Sequence, residues 1–178
     1  MTVSPRAIAL TGTIGAGKTT LAEAISEELH EQGIGHALLD LDWLGQVYPV
    51  PEGHDPYGYE LALHNLKEIW PNFKGVGADR AIIAGTLLNR DQREGLRDGL
   101  GGVPLAVVLV KAPQEMLQAR IRSRNSGRLL EDFLARTADV AREIEAAGID
   151  DFAVENGGRT PREVARQILR KVDWIASE

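Results

Sequence analysis

Cysteine is absent from the 178-residue sequence. Its absence excludes disulfides, thiolate nucleophiles, and zinc or iron–sulfur sites that depend on cysteine ligands. The four histidines offer no replacement, because none of them follows the HExxH spacing of a helical zinc site. The sequence therefore gives no support for a structural transition metal.

The sequence also lacks a basic excess and long apolar runs. Twenty lysines and arginines against 26 aspartates and glutamates give a net charge of -6, the opposite of the basic surface of a nucleic-acid or anionic-membrane binder. No apolar segment approaches the roughly 18 to 20 residues that span a bilayer, and none has the form of a signal peptide. We expect a cytoplasmic monomer or homodimer that binds neither nucleic acid nor membrane.

Repeats, low-complexity tracts and linkers are missing too, so we expect a single domain over residues 1–178. Apolar runs that predict buried strands occur at residues 6–11, 37–41, 80–84, 104–110 and 152–154. Helical periods lie between them, at residues 19–32, 55–70, 89–100, 113–121 and 130–147, and a last one starts at 161. This alternation predicts a three-layer α/β/α fold with a five-stranded parallel sheet, whose ligands bind at the carboxyl ends of the strands.

Two of the predicted helices carry start signals. Asp55 and Pro56 have the residue types of an N-cap and a first helical position, and Thr160 with Glu163 forms a capping box ahead of the last helix. We therefore expect these helices to begin next to those residues.

A complete G-x-x-x-x-G-K-[ST] sequence follows the first predicted strand and leads into a helix. Its glycines let successive backbone N–H groups point inward, and the helix N-terminus adds its positive end to this anion site. Lys18 would reach the β- and γ-phosphates, and the Thr19 hydroxyl would take a place on Mg²⁺. Thr20 is either a further phosphate contact or a helix-surface residue. The loop residues that we expect to bind a nucleoside triphosphate are Gly12, Thr13, Gly15, Ala16, Gly17, Lys18 and Thr19.

With this loop, the sequence resembles the small P-loop kinases, the group of adenylylsulfate kinase, chloramphenicol phosphotransferase, gluconate kinase and nucleoside monophosphate kinase. The resemblance extends from residue 7 to about residue 169. It implies the P-loop NTPase fold, ATP and Mg²⁺ as cofactors, a small-molecule acceptor, and a short lid around residues 120–131. The third predicted strand has no Walker B acid at its exit, and an Asn-Lys-x-Asp motif is missing, which argues against a GTPase. Thr86, at that exit, either contacts the magnesium shell or substrate or begins a turn.

Two aspartates lie at the exit of the second predicted strand. Asp40 and Asp42 are two residues apart, so in extended geometry both carboxylates point to the same side, toward the P-loop crevice. A hydroxyl acceptor needs its proton accepted, and Mg²⁺ needs oxygen ligands. Adenylylsulfate kinases have a similar Asp-x-Asp, and the resemblance implies Asp42 as the base or orienter of the acceptor and Asp40 as acting on magnesium-bound water. The alternative is that one of the pair caps a following turn.

Arginines recur every four residues after the fourth predicted strand, at Arg120, Arg124 and Arg128. This stretch resembles the helix and lid of the kinase group, although residues 125–127 indicate a helix break before Arg128. The resemblance implies Arg120 beside the nucleotide and Arg124 on the transferring phosphoryl group, with Arg128 as the third candidate. The alternative is a solvated helix face paired with nearby glutamates.

Six of the nine aromatic residues lie between positions 43 and 73. Such clustering suits a pocket that encloses a ring or an apolar body, so Trp43, Tyr48 and Tyr57 are candidates for contact with the acceptor. Tyr59 and Trp70 fall on the apolar stripe of a predicted helix, which favours core packing.

Polar residues elsewhere support weaker hypotheses. Arg90 and Arg93, after the third predicted strand, either bind an anionic acceptor or are solvated helix residues. Residues 155–160 resemble the loop that borders the nucleotide base in the kinase group, or form a plain turn.

These features together predict an ATP- and Mg²⁺-dependent phosphotransferase acting on a small-molecule hydroxyl, in which Lys18, Asp42 and Arg124 carry the chemistry. Two alternatives stay open. In a nucleoside monophosphate kinase, Asp42 would orient the substrate instead of accepting a proton. A nucleotide-binding regulatory ATPase would have no small-molecule acceptor.

Overall fold

A computed structural model of the chain describes residues 4–55, 57–124 and 128–176, without the side chains of residues 124, 128–130, 132–133 and 135–136. Its five-stranded sheet has the order β2-β3-β1-β4-β5, and the pairs between neighbouring strands are parallel. The strands are β1 (Ala7–Thr11), β2 (His36–Asp40), β3 (Arg80–Ala84), β4 (Leu105–Lys111) and β5 (Phe152–Glu155). The predicted parallel sheet is confirmed, and each boundary lies within one residue of its expected position.

Helices connect the strands over both faces of the sheet. Those in the described part of the chain are α1 (Lys18–Glu31), α2 (Leu41–Leu44), α3 (Tyr59–Gly75), α4 (Arg90–Gly99), α5 (Gln114–Arg124), α6 (Arg128–Ala147) and α7 (Pro161–Lys171). The short α2 was not expected from the sequence. Within the described residues, no helix combines the length and apolar character needed to cross a bilayer.

The sheet separates two layers of core, because neighbouring residues of a strand point to opposite faces. On one face, Ile8 and Leu10 of β1 pack with buried residues of α1 and α7. On the other face, Ala7 and Ala9 pack with α3 and α4. This arrangement is the expected three-layer α/β/α fold.

The start of α3 differs from the expectation. The helix begins at Tyr59, because Gly58 takes a left-handed conformation with φ of 65° and interrupts the helical run. The expectation that Asp55 is the N-cap is wrong, because Gly58 occupies that position. The Asp55 carboxylate nevertheless accepts hydrogen bonds from the backbone N–H of Tyr59 at 2.6 Å and of Glu60 at 3.4 Å. Pro56 lies outside the described residues.

The end of α3 also lies beyond the predicted position. The helix continues through Pro71 to Gly75, although proline removes one backbone hydrogen bond from a helix. Trp70 is buried, and Tyr59 and Phe73 pack against the same core cluster, so apolar packing holds the helix together past the proline. The prediction that Tyr59 and Trp70 belong to the core is confirmed. At the start of α7, the capping box of Thr160 and Glu163 is confirmed as well.

Candidate active site

The G-x-x-x-x-G-K-[ST] loop joins β1 to α1 at the carboxyl edge of the sheet. Because β1 is the central strand, the loop lies between the carboxyl ends of β3 and β4. Asp40 ends β2 at the same edge, and Thr86 follows β3 there. The topology therefore brings residues from three separate strand exits to one crevice, where ligands of parallel sheets bind.

The loop backbone requires glycine at its turning points. Gly12, Gly15 and Gly17 have φ angles of 152°, 82° and 91°, a region that residues with a Cβ rarely adopt. A Cβ on Gly12 would lie 2.5 Å from the carbonyl oxygen of Val110, and one on Gly17 would lie 2.5 Å from Nδ2 of Asn156. The glycines of the motif therefore serve both the conformation and the packing of the loop.

Lys18 folds back over the loop. Its Nζ donates hydrogen bonds to the carbonyl oxygens of Gly12 at 2.9 Å and Thr13 at 3.2 Å. Burial lowers the pKa of Lys18 below its usual value, and the negative charges of Asp42 and Asp40 oppose that shift. The ammonium group is therefore held at the loop, inside the field of both carboxylates.

Asp40 connects the loop to the next strand exit. The Thr19 hydroxyl donates to Oδ2 of Asp40 at 3.0 Å, and the backbone N–H of Asp42 donates to Oδ1 of Asp40 at 2.9 Å. The second bond makes Asp40 the N-cap of α2, which is the turn-capping role that the sequence left open. Asp40 fills this role while its other oxygen stays with Thr19.

Asp42 does not continue the strand, so the expectation that both aspartates share an extended segment is wrong. The strand ends at Asp40 because its side chain caps the next turn, and Asp42 lies in the first turn of α2. Burial raises the pKa of Asp42, the charge of Lys18 opposes this shift, and the charge of Asp40 adds to it. Asp42 thus keeps an electrostatic connection to Lys18 despite the different backbone geometry.

The remaining loop positions divide into buried and exposed ones. Thr13 and Ala16 are buried, whereas Thr20 is exposed on the surface of α1.

The Thr86 hydroxyl donates to the carbonyl oxygen of Gly12 at 3.1 Å. Thr86 therefore supports the loop from the side of β3, in a role that the sequence did not reveal.

Arg120 and Asn156 hold the loop from the side of β4 and β5. One guanidinium nitrogen of Arg120 donates to the carbonyl oxygens of Gly15 at 3.0 Å and Ala16 at 3.2 Å. Asn156, which is buried, donates from Nδ2 to the same Ala16 oxygen at 2.7 Å. Sequence reasoning missed Asn156, although the signal available was a polar residue directly after a strand at the ligand-binding edge.

Four further arginines are predicted from the sequence as site residues, and the structure describes the side chains of two of them. The side chains of Arg124 and Arg128 lie outside the described part of the structure, so their predicted roles stay predictions. Arg93 forms an ion pair with Asp151 through two oxygens, at 2.9 and 3.0 Å. Arg90 is exposed and borders a groove along α4 together with Arg93 and Arg97.

Aromatic side chains follow Asp42 along the chain. Trp43, Tyr48 and Tyr57 are 75%, 79% and 60% exposed. Trp43 belongs to α2, and the two tyrosines belong to the loop of residues 46–57. The structure therefore presents all three predicted acceptor contacts at the surface, one on α2 and two on the loop that follows it.

Two glycines close the base of that loop. A Cβ on Gly45 would lie 2.2 Å from the carbonyl oxygen of Gly58, and a Cβ on Gly58 would lie 2.0 Å from that of Gly45. Nearby, Nδ2 of Asn65 donates to the carbonyl oxygen of Leu44 at 2.7 Å. The loop of residues 46–57 thus leaves and rejoins the body of the protein at one closely packed point.

Comparison with known proteins identifies the family and the fold of the chain. The model of the AAA_33 family, described as an AAA domain, matches residues 8–147. No curated protein matches the chain. Among solved structures, a sugar kinase from Janibacter sp. HTCC2649 superposes with a TM-score of 0.64 at 21% identity, over 95% of both chains.

Two further solved structures have the same fold. A gluconokinase from Sinorhizobium meliloti 1021 has a TM-score of 0.64 at 19% identity, over 97% of this chain and 94% of its own. The APS kinase of Mycobacterium tuberculosis, solved with AMPPNP and APS, has a TM-score of 0.58 at 19% identity, over 97% of this chain and 99% of its own. The chain described here belongs to the AAA_33 family of AAA domains, and its fold is that of the small P-loop kinases.

Proposed function

We propose that this protein is an ATP- and Mg²⁺-dependent phosphotransferase that moves the γ-phosphoryl group to a hydroxyl of a small molecule. One observation carries the proposal: Lys18, Thr19 and Asp40 meet at the mouth of the phosphate-binding loop, and Asp42 lies within the field of Lys18. A site that only binds nucleotide needs the loop, whereas phosphoryl transfer to a hydroxyl also needs a group for the acceptor proton.

The residues present fit Mg·ATP. The left-handed glycines shape the loop for a phosphate group, and Lys18 supplies a positive charge at its mouth. The Thr19 hydroxyl and the Asp40 carboxylate, 3.0 Å apart, offer the hard oxygen ligands that Mg²⁺ prefers. When bound, the ion would offset phosphate charge.

We propose that the Asp42 carboxylate accepts the proton of the acceptor hydroxyl. Burial raises its pKa, and a carboxylate with a raised pKa is a better proton acceptor at neutral pH. Lys18 and Arg124 would stabilise the charge that develops on the transferring group. In this proposal Arg120 and Asn156 act on the loop rather than on the substrate, since both bond to its carbonyl oxygens.

The relatives in fold support this reading. All three structures reported above are named as kinases, and one of them holds AMPPNP together with APS. We propose that the reaction takes place in the cytoplasm, in one domain that acts as a monomer or homodimer. A short lid around residues 120–131, carrying Arg124 and Arg128, would close over the crevice.

The test is acceptor-dependent ADP release with Mg·ATP across a panel of sugars, nucleosides, nucleotides, aminoglycosides, phenolic compounds and adenylylsulfate. We expect strong stimulation by one class, abolished by Lys18→Ala and unchanged by Lys74→Ala, which removes an exposed lysine at the end of α3. Slow hydrolysis that no acceptor stimulates, despite measurable ATP binding, would overturn the proposal in favour of a regulatory ATPase.

The Asp42→Asn variant distinguishes a kinase that acts on a hydroxyl from a nucleoside monophosphate kinase. A hydroxyl acceptor should lose most of its turnover in this variant, because the group for its proton is gone. A phosphate acceptor is already nucleophilic, so a nucleoside monophosphate kinase, in which Asp42 would only orient the substrate, would retain most of its turnover because asparagine can still form hydrogen bonds.

A further inference from the structure

Thr11, the last residue of β1, is a fully buried polar residue in the central strand of the sheet. Its hydroxyl oxygen accepts a hydrogen bond from the backbone N–H of Leu87 at 2.9 Å and lies 3.4 Å from the carbonyl oxygen of the same residue. Leu87 follows β3 and is buried as well. Because a buried backbone amide needs a partner, Thr11 fixes the chain after β3 against the end of β1.

The bond to Thr11 replaces the next bond of the sheet. The backbone N–H of Gly85 donates to the carbonyl oxygen of Leu10 at 3.2 Å, and in a parallel pair such bonds recur at every second residue. The next bond of this ladder would therefore join the N–H of Leu87 to the carbonyl oxygen of Gly12. The Leu87 N–H donates to Thr11 instead, so the sheet does not extend into the phosphate-binding loop.

The carbonyl oxygen of Gly12, released from the sheet in this way, accepts two other hydrogen bonds. Nζ of Lys18 donates to it at 2.9 Å, and the Thr86 hydroxyl donates to it at 3.1 Å. A carbonyl oxygen has two lone pairs, so these two donors use its full capacity. A third donor, such as the N–H of Leu87, would compete with Lys18 for the same oxygen.

The chain that carries Thr86 is held on its other side too. Oε1 of Gln92 accepts from the backbone N–H of Leu88 at 2.6 Å, and the Asn89 side chain caps α4 by accepting from the N–H of Gln92 at 2.9 Å. The segment between β3 and α4 is therefore fixed at both ends. Its Thr86 hydroxyl consequently has a defined position relative to the Gly12 carbonyl group.

We propose that Thr11 and Thr86 are positioning residues for Lys18. Thr11 takes the amide that would otherwise continue the sheet to Gly12, and Thr86 aligns the Gly12 carbonyl group toward the ammonium group. The inference rests on the proposed function, because Lys18 is the cation placed there to receive the phosphates. Both threonines act through the loop backbone, which holds the charge in place before the nucleotide binds.

Thr11→Val tests the first role, because valine is β-branched like threonine and has no hydroxyl, whereas Thr11→Ser keeps one. We expect the Kd for Mg·ADP, measured by isothermal titration calorimetry, to rise about fivefold or more in Thr11→Val and to return to within about twofold in Thr11→Ser. Ser4→Ala is the control, because it removes a hydroxyl that donates to the carbonyl oxygen of Val172 at 2.9 Å, ahead of β1 and away from the loop. Equal affinities in Thr11→Val and the unaltered protein would overturn the role of Thr11.

Thr86→Val distinguishes positioning from a direct contact with magnesium. A residue that aligns the loop should matter equally with and without the ion, whereas a residue in the magnesium shell should matter only with it. We expect the Kd for ADP to rise by the same factor, about fivefold or more, in both conditions, and Thr86→Ser to recover the affinity. A rise confined to Mg·ADP, or no rise at all, would overturn the positioning role of Thr86.

Crystal structures of unliganded Thr11→Val and of the unaltered protein separate this inference from the proposed function. In the variant we expect the backbone nitrogen of Leu87 to come within hydrogen-bond distance of the Gly12 carbonyl oxygen, and Nζ of Lys18 to leave that oxygen. A Lys18 that keeps its bond to Gly12 would overturn the inference, even in a variant that binds Mg·ADP weakly. Failure of the unaltered protein to bind Mg·ADP would overturn the proposed function, and the two structures would still decide what positions Lys18.

Discussion

The side-chain amide of Asn156 donates a hydrogen bond of 2.7 Å to the backbone carbonyl oxygen of Ala16. Asn156 follows β5 directly, and its own backbone N–H donates to the carbonyl oxygen of Lys111 at the end of β4. The absence of a Cβ on Gly17 provides the space for the amide. Asn156 therefore ties the phosphate-binding loop to the edge formed by β4 and β5, and it is a positioning residue for that loop.

Replacing Asn156 with alanine should weaken nucleotide binding. The substitution removes the shorter of two side-chain hydrogen bonds to the Ala16 carbonyl oxygen, and a buried hydrogen bond lost in this way costs roughly 1–3 kcal/mol. We predict a rise in the Kd for Mg·ADP of about fivefold to a hundredfold by isothermal titration calorimetry. Asn72→Ala is the control, because its exposed amide reaches only a helical carbonyl oxygen at 3.5 Å. Equal affinities in Asn156→Ala and the unaltered protein would show that the bond does not support the loop.

The phosphate-binding loop could be predicted from the sequence, whereas the contact made by Asn156 could not. The phosphate-binding loop is a local pattern, because each residue type has its physical reason within eight consecutive positions. Asn156 lies 140 residues from the carbonyl group that it supports. Nothing near Asn156 in the sequence specifies that contact, which arises only when β5 takes its place at the sheet edge.

The positions of the inner strands β1, β3 and β4 could be predicted because strands buried on both faces are apolar almost throughout. The short α2 could not, since four residues are too few to show a helical period. Asp40 illustrates the consequence: as a strand residue it suggested a same-side pair with Asp42, whereas its carboxylate ends the strand by capping the next turn. Whether an aspartate side chain caps the next turn or the strand continues depends on the backbone geometry, which the spacing of residues in the sequence does not determine.

The close contact between Gly45 and Gly58 predicts that the 46–57 loop is sensitive to one added methyl group. In Gly45→Ala the new Cβ would lie 2.2 Å from the carbonyl oxygen of Gly58, while the φ of -99° at Gly45 is ordinary for alanine. The variant therefore isolates the contact from backbone strain. We predict a loss of about 1–3 kcal/mol in the free energy of unfolding, measured by urea denaturation.

Gly75→Ala is the matched control for that variant. Gly75 ends α3, and a Cβ there meets nothing within 4 Å. Alanine should leave stability unchanged or raise it by up to about 1 kcal/mol, because alanine favours helices over glycine. If both variants have the stability of the unaltered protein, the two glycines do not close the loop in solution.

We predict a pH dependence of stability that arises from Glu28 and does not involve the active site. It is buried on α1 and pairs with Arg162 and Arg166 of α7; its bond from Arg166 measures 2.8 Å. Burial alone would raise the pKa of Glu28, but Arg166 and Arg162 together outweigh burial and hold that pKa below its ordinary value. The charged form is therefore favoured in the folded protein relative to the unfolded chain.

The sign of the effect follows from this lowered pKa. Glu28 stabilises the fold above the unfolded-state value of about 4.3, and its contribution is lost as the pH falls through the lower folded-state pKa. We predict that Glu28→Gln lowers the free energy of unfolding by roughly 1–3 kcal/mol at neutral pH, and that the difference from the unaltered protein shrinks below about pH 4. Urea denaturation from pH 7 to pH 3 measures both. Glu31→Gln, which removes an exposed partner of Arg162, should cost at most about 1 kcal/mol because surface pairs are weak. A difference for Glu28→Gln that stays constant down to pH 3 would mean that its charge is not what joins α1 to α7.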